Sequence, residues 1–368
     1  MDTPLIVSPE QPLPGVAEPE RDPSLQVARV KYADGSYKEF YVDAGCKGSE
    51  LFRQVTTGMS YTRDERKYFS LFIYDPTDGA RWMIQKDMEI KSQLKTPDME
   101  RTQEARNGQM QEMMQMLQRM QEYARQPPRE LGRMFRGQLN GGLPFGLQLP
   151  RPIEQLPWNF SFEVKFYPIA PSSLVDNIAR HFLFLQLQKD VLTGRLPTNM
   201  VIYAQLGALL VQLKFGDAPF EMTEEYEELM VRSKLDPTSI FDATIVDKIM
   251  EQHKEHRGLS TSEAMSQFMD ICASQAFYGL YFYKAKDADQ QDVDIGIGTN
   301  GITVCRNNTI LRNFPIERFY VTCKKKQLTI KAKANRQEED HVFECEQETK
   351  PFQDFYHANE TFARTLRQ

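Results

Sequence analysis

Gly296-Ile-Gly-Thr-Asn-Gly301 has the GxGxxG spacing that cradles a pyrophosphate when it joins a strand to the amino end of a helix. The residues that follow, Ile302 to Arg306, are β-prone, and Asn300-Gly301 is a hairpin dipeptide, so the segment reads as a β-hairpin. His253 and His256 lie three apart in a helical stretch, a spacing that can present two imidazoles to one metal. A metal centre needs further ligands and groups that orient them, and only Lys and Glu surround this pair, so a solvated helix end is the expectation. None of the five cysteines, Cys46, Cys272, Cys305, Cys323 and Cys345, follows a His, which removes the thiolate loop of a tyrosine phosphatase. No GxSxG elbow is present either. The expectation is a chain with no catalytic residue, no metal and no cofactor.

Composition points the same way. At 368 residues the chain is long enough for two or three domains, and 40% hydrophobic with 26% charged residues is a globular balance. A net charge of −6 argues against general nucleic-acid binding, which requires an excess of Lys and Arg to displace counterions. The scattered cysteines, with no CxxC pair, fit a reducing cytosol. No apolar run approaches the ~20 residues that span a bilayer. The sequons at Asn159, Asn307 and Asn359 are therefore read as chance.

The elements that must position any binding surface follow from periodicity. Residues 1–24, rich in Pro and acid, read as a disordered tail. Ala28, Val30 and Tyr32, then Phe40 and Val42, alternate with polar neighbours around Asp34-Gly35, which predicts a hairpin. A helix near 49–58 and a strand over 68–74 complete a small α+β lobe resembling ubiquitin. Residues 96–156 interrupt it with a Met- and Gln-rich helical stretch and a Pro- and Gly-rich tether. The strand at Phe160, Phe162, Val164 and Phe166 then completes the lobe. From 173 to 279 the pattern is helical: Leu174, Ile178, Phe182 and Leu185 mark one face, Gly194 and Pro197 a stop. Val201 to Leu213 reads as a buried central helix, and Ser260 with Glu263 as a capping box. After Gly279 six short strands are expected, ending in Phe319–Cys323, Leu328–Lys331 and Val342–Cys345. A closing helix carries Phe352, Phe355, Tyr356, Asn359, Phe362, Ala363 and Leu366 on one stripe.

His181–Pro197, Trp158–Pro168 and Asn300–Arg306 with Phe314-Pro315 resemble segments of the FERM domains of the band 4.1 family. The likeness covers roughly 25–95 and 157–368. It implies an α+β chain of several lobes. A ubiquitin-like lobe comprises 25–95 plus 157–168, with 96–156 inserted. An all-helical lobe similar to acyl-CoA-binding protein comprises 169–279. A sandwich similar to pleckstrin-homology and phosphotyrosine-binding domains, with a carboxyl-terminal helix, comprises 280–368. The insert departs from the family pattern, as does the run Cys323-Lys-Lys-Lys326 where the family commonly has Tyr-Lys-Arg.

The resemblance implies a cytoplasmic, non-catalytic adaptor, peripheral at the inner face of the plasma membrane in the cell cortex. Its partners would be the cytoplasmic tails of integral membrane proteins together with cytoskeletal or scaffold proteins. The rival reading is the targeting half of a longer FERM-containing enzyme such as a protein tyrosine phosphatase; the end of the chain at Gln368, with no catalytic signature, speaks for the adaptor. In sandwiches of this type an unpaired strand edge can accept an extended peptide. The candidate groove is Phe319, Tyr320, Val321, Thr322 and Cys323 against Phe355, Asn359 and Phe362 of the last helix. Phe355 and Phe362 also read as core, which leaves Tyr320, Thr322 and Asn359 as the better contacts. Lys86, Lys324, Lys325 and Lys326 are candidates for a phosphoinositide or membrane surface, or for a solvated turn. Met110, Met113, Met114, Leu117, Met120 and Ala124 of the insert would suit a calmodulin-like partner, or packing on the protein's own surface.

Overall fold

The computed structural model of the protein describes residues 25–57, 59, 65–74, 81–94, 158–219, 244–334 and 337–365. The tail expected at 1–24, the insert at 96–156 with its Met-rich face, and Leu366 lie outside them. The described residues fall into two compact units, one from within 1–30, 37–55 and 73–160, the other from within 31–36, 56–72 and 161–368. Helices and two sheets make the architecture α+β.

Five strands form the first sheet: β1 (Gln26–Lys31), β2 (Tyr37–Val42), β3 (Phe69–Tyr74), β4 (Arg81–Met83) and β5 (Trp158–Val164), in the order β2-β1-β5-β3-β4. In the first unit, alternation buries Ala28, Val30, Phe40 and Val42, while Leu51, Phe52 and Val55 line the buried side of α1 (Gly48–Thr56). A β-carbon at Gly48 would lie 2.5 Å from the Gln85 carbonyl oxygen, so only glycine lets α1 start here. A short helix α2 (Ile90–Gln93) buries Ile90, whose amide bonds the Cys46 carbonyl. The turn at Asp34-Gly35 is as expected: Gly35 has φ +87°, and Asp34 accepts from the Ser36 amide and hydroxyl.

The second unit begins with the antiparallel pairing of β3 and β5, Phe69 opposite Val164 through Phe72 opposite Ser161. Four helices follow among the described residues: α3 (Asn177–Leu192), α4 (Met200–Phe215), α5 (Thr244–Glu255) and α6 (Thr261–Ala273). Asp176 caps α3 by accepting from the Ile178 and Ala179 amides, and Glu65 accepts from those of Val175 and Asp176. The buried face of α3 runs through Ala179, Phe182, Leu183, Gln186, Leu187 and Asp190. This corrects the expected stripe: Leu174 precedes the helix, and Ile178 and Leu185 are only half-buried. Packing against several neighbours selects a face that a single apolar stripe does not reveal. The α4 helix is buried at Tyr203, Ala204 and Leu206 through Gln212, as its all-round apolarity predicts. Both reciprocal bonds of the capping box at Ser260 and Glu263 open α6.

Seven strands form the second sheet: β6 (Tyr281–Lys286), β7 (Asp292–Gly298), β8 (Gly301–Arg306), β9 (Thr309–Pro315), β10 (Phe319–Lys324), β11 (Gln327–Ala334) and β12 (Gln337–Cys345). Their order is β10-β11-β12-β6-β7-β8-β9, all pairs antiparallel. Six were expected. The seventh, β9, is an edge strand exposed from Thr309 to Asn313, so it carries no alternation to read. The last helix, α7 (Lys350–Thr365), buries Phe352, Phe355, Tyr356, Asn359, Phe362 and Ala363. Its rings meet Tyr283, Tyr281 and Phe319 of the sheet. Phe362 instead stacks on Phe166, 4.2 Å between centroids, and meets Tyr68 edge-on.

One buried polar cluster joins these parts. The Tyr167 hydroxyl donates to Asp190 at 2.6 Å and accepts from Arg195 Nη2 at 2.6 Å. Arg195 Nε lies 2.9 Å from the other Asp190 oxygen, and Glu163 is held by Lys189 at 3.3 Å and Arg195 at 3.9 Å. The Arg195 guanidinium covers the Tyr281 ring, and the Tyr281 hydroxyl donates to the Val164 carbonyl. Burial pushes the Tyr167 hydroxyl well above its usual range, so it remains a donor. Removing one partner of such a pair leaves an uncompensated charge. Asp190→Ala should lower unfolding stability by about 3–5 kcal/mol, and Tyr167→Phe by about 1–3 kcal/mol, both measured by urea denaturation.

Candidate functional site

The exposed end of the second sheet is shaped by the hairpin that joins β10 to β11. Lys324 pairs with Gln327 across the two-residue loop Lys325-Lys326, and Lys325 takes a φ of +51°. In such a loop the flanking pair is hydrogen-bonded and pairs alternate from there. Tyr320 and Thr322 therefore direct their amides and carbonyls to β11, whereas Phe319, Val321 and Cys323 turn theirs outward. Since β10 is the last strand of the sheet among the described residues, that outward side is an edge. Along it runs α7, antiparallel to β10. Thr349, at the amino end of α7, donates through amide and hydroxyl to the Lys325 carbonyl at 2.7 Å each. One helical span later the Tyr356 hydroxyl donates to the Phe319 carbonyl at 3.5 Å.

The structure distributes the eight groove candidates unevenly. Phe319 and Val321 are buried, Cys323 and Thr322 half-buried, and Tyr320 is 43% exposed. Phe355 packs edge-on against Tyr281 within the core. Asn359, expected as a surface contact, is 1% exposed, and its side-chain amide donates to the Phe355 carbonyl one turn back. A polar residue inside an apolar stripe is as compatible with this internal bond as with a ligand, and here the helix backbone takes it. Phe362 faces Phe166 and Tyr68, away from β10. Two residues that the expectation left out border the edge instead, Tyr356 and Thr349. Thr349, followed by Pro351 inside the first helical turn, carries a capping signal that would have located it.

The four candidate lysines are exposed. Lys86 belongs to the first unit and rests its ammonium 4.5 Å from the centre of the Phe52 ring. Lys324, Lys325 and Lys326 stand together at the hairpin tip of the second. Neighbouring Lys331 is bound to Asp340 at 3.3 Å and so does not extend their charge.

Residues 170–283 match the model of the FERM central domain. Mouse Band 4.1-like protein 2 is 35% identical over 167 residues, 45% of this chain and 16% of that protein. Dog Protein 4.1 is 31% identical over 193 residues, 52% of this chain and 23% of that protein. The crystal structure of the Drosophila Merlin FERM and C-terminal domain complex superposes with a TM-score of 0.65 at 16% identity, covering 93% of this chain and 97% of that one. Residues 170–283 thus carry a FERM central domain, in a chain similar to band 4.1 proteins. The chain spans about a sixth to a quarter of the length of these two curated relatives.

Elsewhere the residues with catalytic spacing prove structural. The GxGxxG run is the β7–β8 hairpin, Gly298 opposite Gly301. A β-carbon on Gly301 would fall 2.0 Å from the Phe314 carbonyl oxygen, so close backbone approach explains that glycine. Among the described residues no group of three His, Cys, Asp or Glu could hold a metal, and no helix is long and apolar enough to cross a membrane.

The expected solvated helix end at His253 is incorrect: the residue is 0% exposed. Its Nε2 lies 3.0 Å from Gln212 Oε1 and 2.9 Å from the Gly216 carbonyl, two acceptors, so Nε2 carries a proton. Charged neighbours in sequence misled, because Lys254 and Glu255 occupy the other side of the turn. Burial lowers the pKa of His253, with the Gly216 carbonyl opposing, and burial likewise lowers His181, His256 and His341. The unfolded chain then binds protons first, near the ordinary histidine value, so stability is full above about pH 6.5 and falls as pH drops below it. The urea midpoint should be lower at pH 5.5 than at 7.5, and His253→Gln should flatten the difference.

Proposed function

We propose that this chain is a non-catalytic FERM adaptor that links the cytoplasmic tails of integral membrane proteins to the cortical cytoskeleton at the inner face of the plasma membrane. Its working division is the three lobes 25–95 plus 157–168, 169–279 and 280–368. The observation that carries the reading is the outer edge of β10: Val321 and Cys323 turn backbone donors and acceptors outward beside α7. An extended tail segment would add there as a further strand, its hydrogen bonds giving affinity and the helix wall giving selectivity.

The register chooses the test. Proline at Tyr320 or Thr322 would remove bonds to β11 and damage the sheet itself. Proline at Cys323, half-buried, removes an outward donor and the thiol's bond with Thr349 but no ladder bond to β11. In pull-downs of membrane-protein tails with the full chain, Cys323→Pro should lose at least about tenfold in affinity while its thermal melt stays close to the parent's. Undiminished capture by a folded Cys323→Pro protein would reject the edge as the docking site.

A further inference from the structure

Building on the peptide-accepting edge proposed above, we infer that the strand it takes is short and acidic. The length follows from what remains open on β10. The Tyr356 hydroxyl covers the Phe319 carbonyl, and the strand ends at Lys324, which leaves the outward groups of Val321 and Cys323. Two outward residues, spaced two apart along the strand, engage a guest of about four residues.

The charge follows from the hairpin tip. Lys324, Lys325 and Lys326 are consecutive and exposed, and none forms an ion pair among the described residues. Other basic groups close by are neutralised: Lys350 by Asp354 at 2.7 Å, Lys331 by Asp340 at 3.3 Å. The tip is also held rigidly. The Lys325 carbonyl is bound by Thr349, and the Lys326 carbonyl accepts from the Cys345 amide at 2.7 Å. Three unpaired ammoniums thus continue the line of the open edge. A guest with carboxylates beyond its paired residues would meet them, and one with Lys or Arg there would be repelled.

A narrow guest fits better than a bilayer. Glu344, which pairs with Gln327 on the far side of the tip, is exposed together with Glu346 and Glu348. A flat anionic surface would meet these carboxylates along with the lysines, whereas a strand lying on β10 stays clear of Glu344, and Asp354, the α7 carboxylate that acts on Cys323, is held by Lys350.

Fluorescence anisotropy with the full chain tests this. The probes are dodecapeptides of alternating Thr and Val bearing three Glu at either end, their three-Lys counterparts, and vesicles of phosphatidylcholine with phosphatidylinositol bisphosphate. The Glu peptide should bind about tenfold more tightly than the Lys peptide at low salt, and the gap should close at high salt. The combined Lys324→Glu, Lys325→Glu, Lys326→Glu protein should reverse the order, and Cys323→Pro should release both peptides. Equal binding of Glu and Lys peptides, both lost in Cys323→Pro, would overturn the acidic preference while sustaining the edge as a docking site. Binding of neither peptide, or of both undiminished by Cys323→Pro, would overturn the edge reading as well. A triple variant that loses vesicle binding but keeps the parent's peptide ranking would assign the lysines to a membrane and overturn the inference.

Discussion

The second unit depends on a charge cluster that cannot be left incomplete. Asp190 and Glu163 are buried carboxylates, and taking either from water alone would cost several kcal/mol. They are tolerable because Lys189 and Arg195, from α3 and the turn after it, arrive together with the Tyr167 hydroxyl from the segment after β5. Glu163 comes with β5, Asp190 with α3, and Tyr281, beneath the guanidinium, with the first strand of the second sheet. The cluster therefore fixes where β5, α3 and β6 meet. The core around it, Phe69, Phe162 and Phe182 stacked and edge-on, supplies most of the driving force but would accept more than one arrangement.

The same logic of obligatory partners sets the character of the β10 edge. A strand at the end of a sheet has backbone groups to satisfy on one side only, and water, a helix side chain or a guest must do so. Here α7 is tied at one point to the hairpin tip and at another to Phe319, and its apolar face is anchored on both halves of the sheet. The wall of the candidate groove is thus preorganised, which favours selectivity over adaptability.

Much of this was legible in the sequence, and the failures have physical causes. The hairpin at Asp34-Gly35, the capping box at Ser260, the all-apolar helix α4 and the stripe of α7 are local signals that tertiary structure had no reason to override. The edge strand β9, the buried face of α3 and the burial of His253 depend on neighbours remote in sequence, which periodicity does not encode. The site was legible as a strand and a helix, but not as a register. Which residues of β10 face outward follows from the two-residue loop at Lys325-Lys326, and that loop length was not evident before the strand ends were placed.

The pairing of Phe72 with Ser161 also has a practical use. Two adjacent strands of one sheet are joined by a connection that contains all of 73–160, and the entropy of closing such a loop rises only with the logarithm of its length, about 0.6 kcal/mol per doubling. Length added between Leu94 and Trp158 consequently adds little to the entropy of closing that connection. A fluorescent reporter or a drug-gated module grafted there would be carried at little cost in closure entropy.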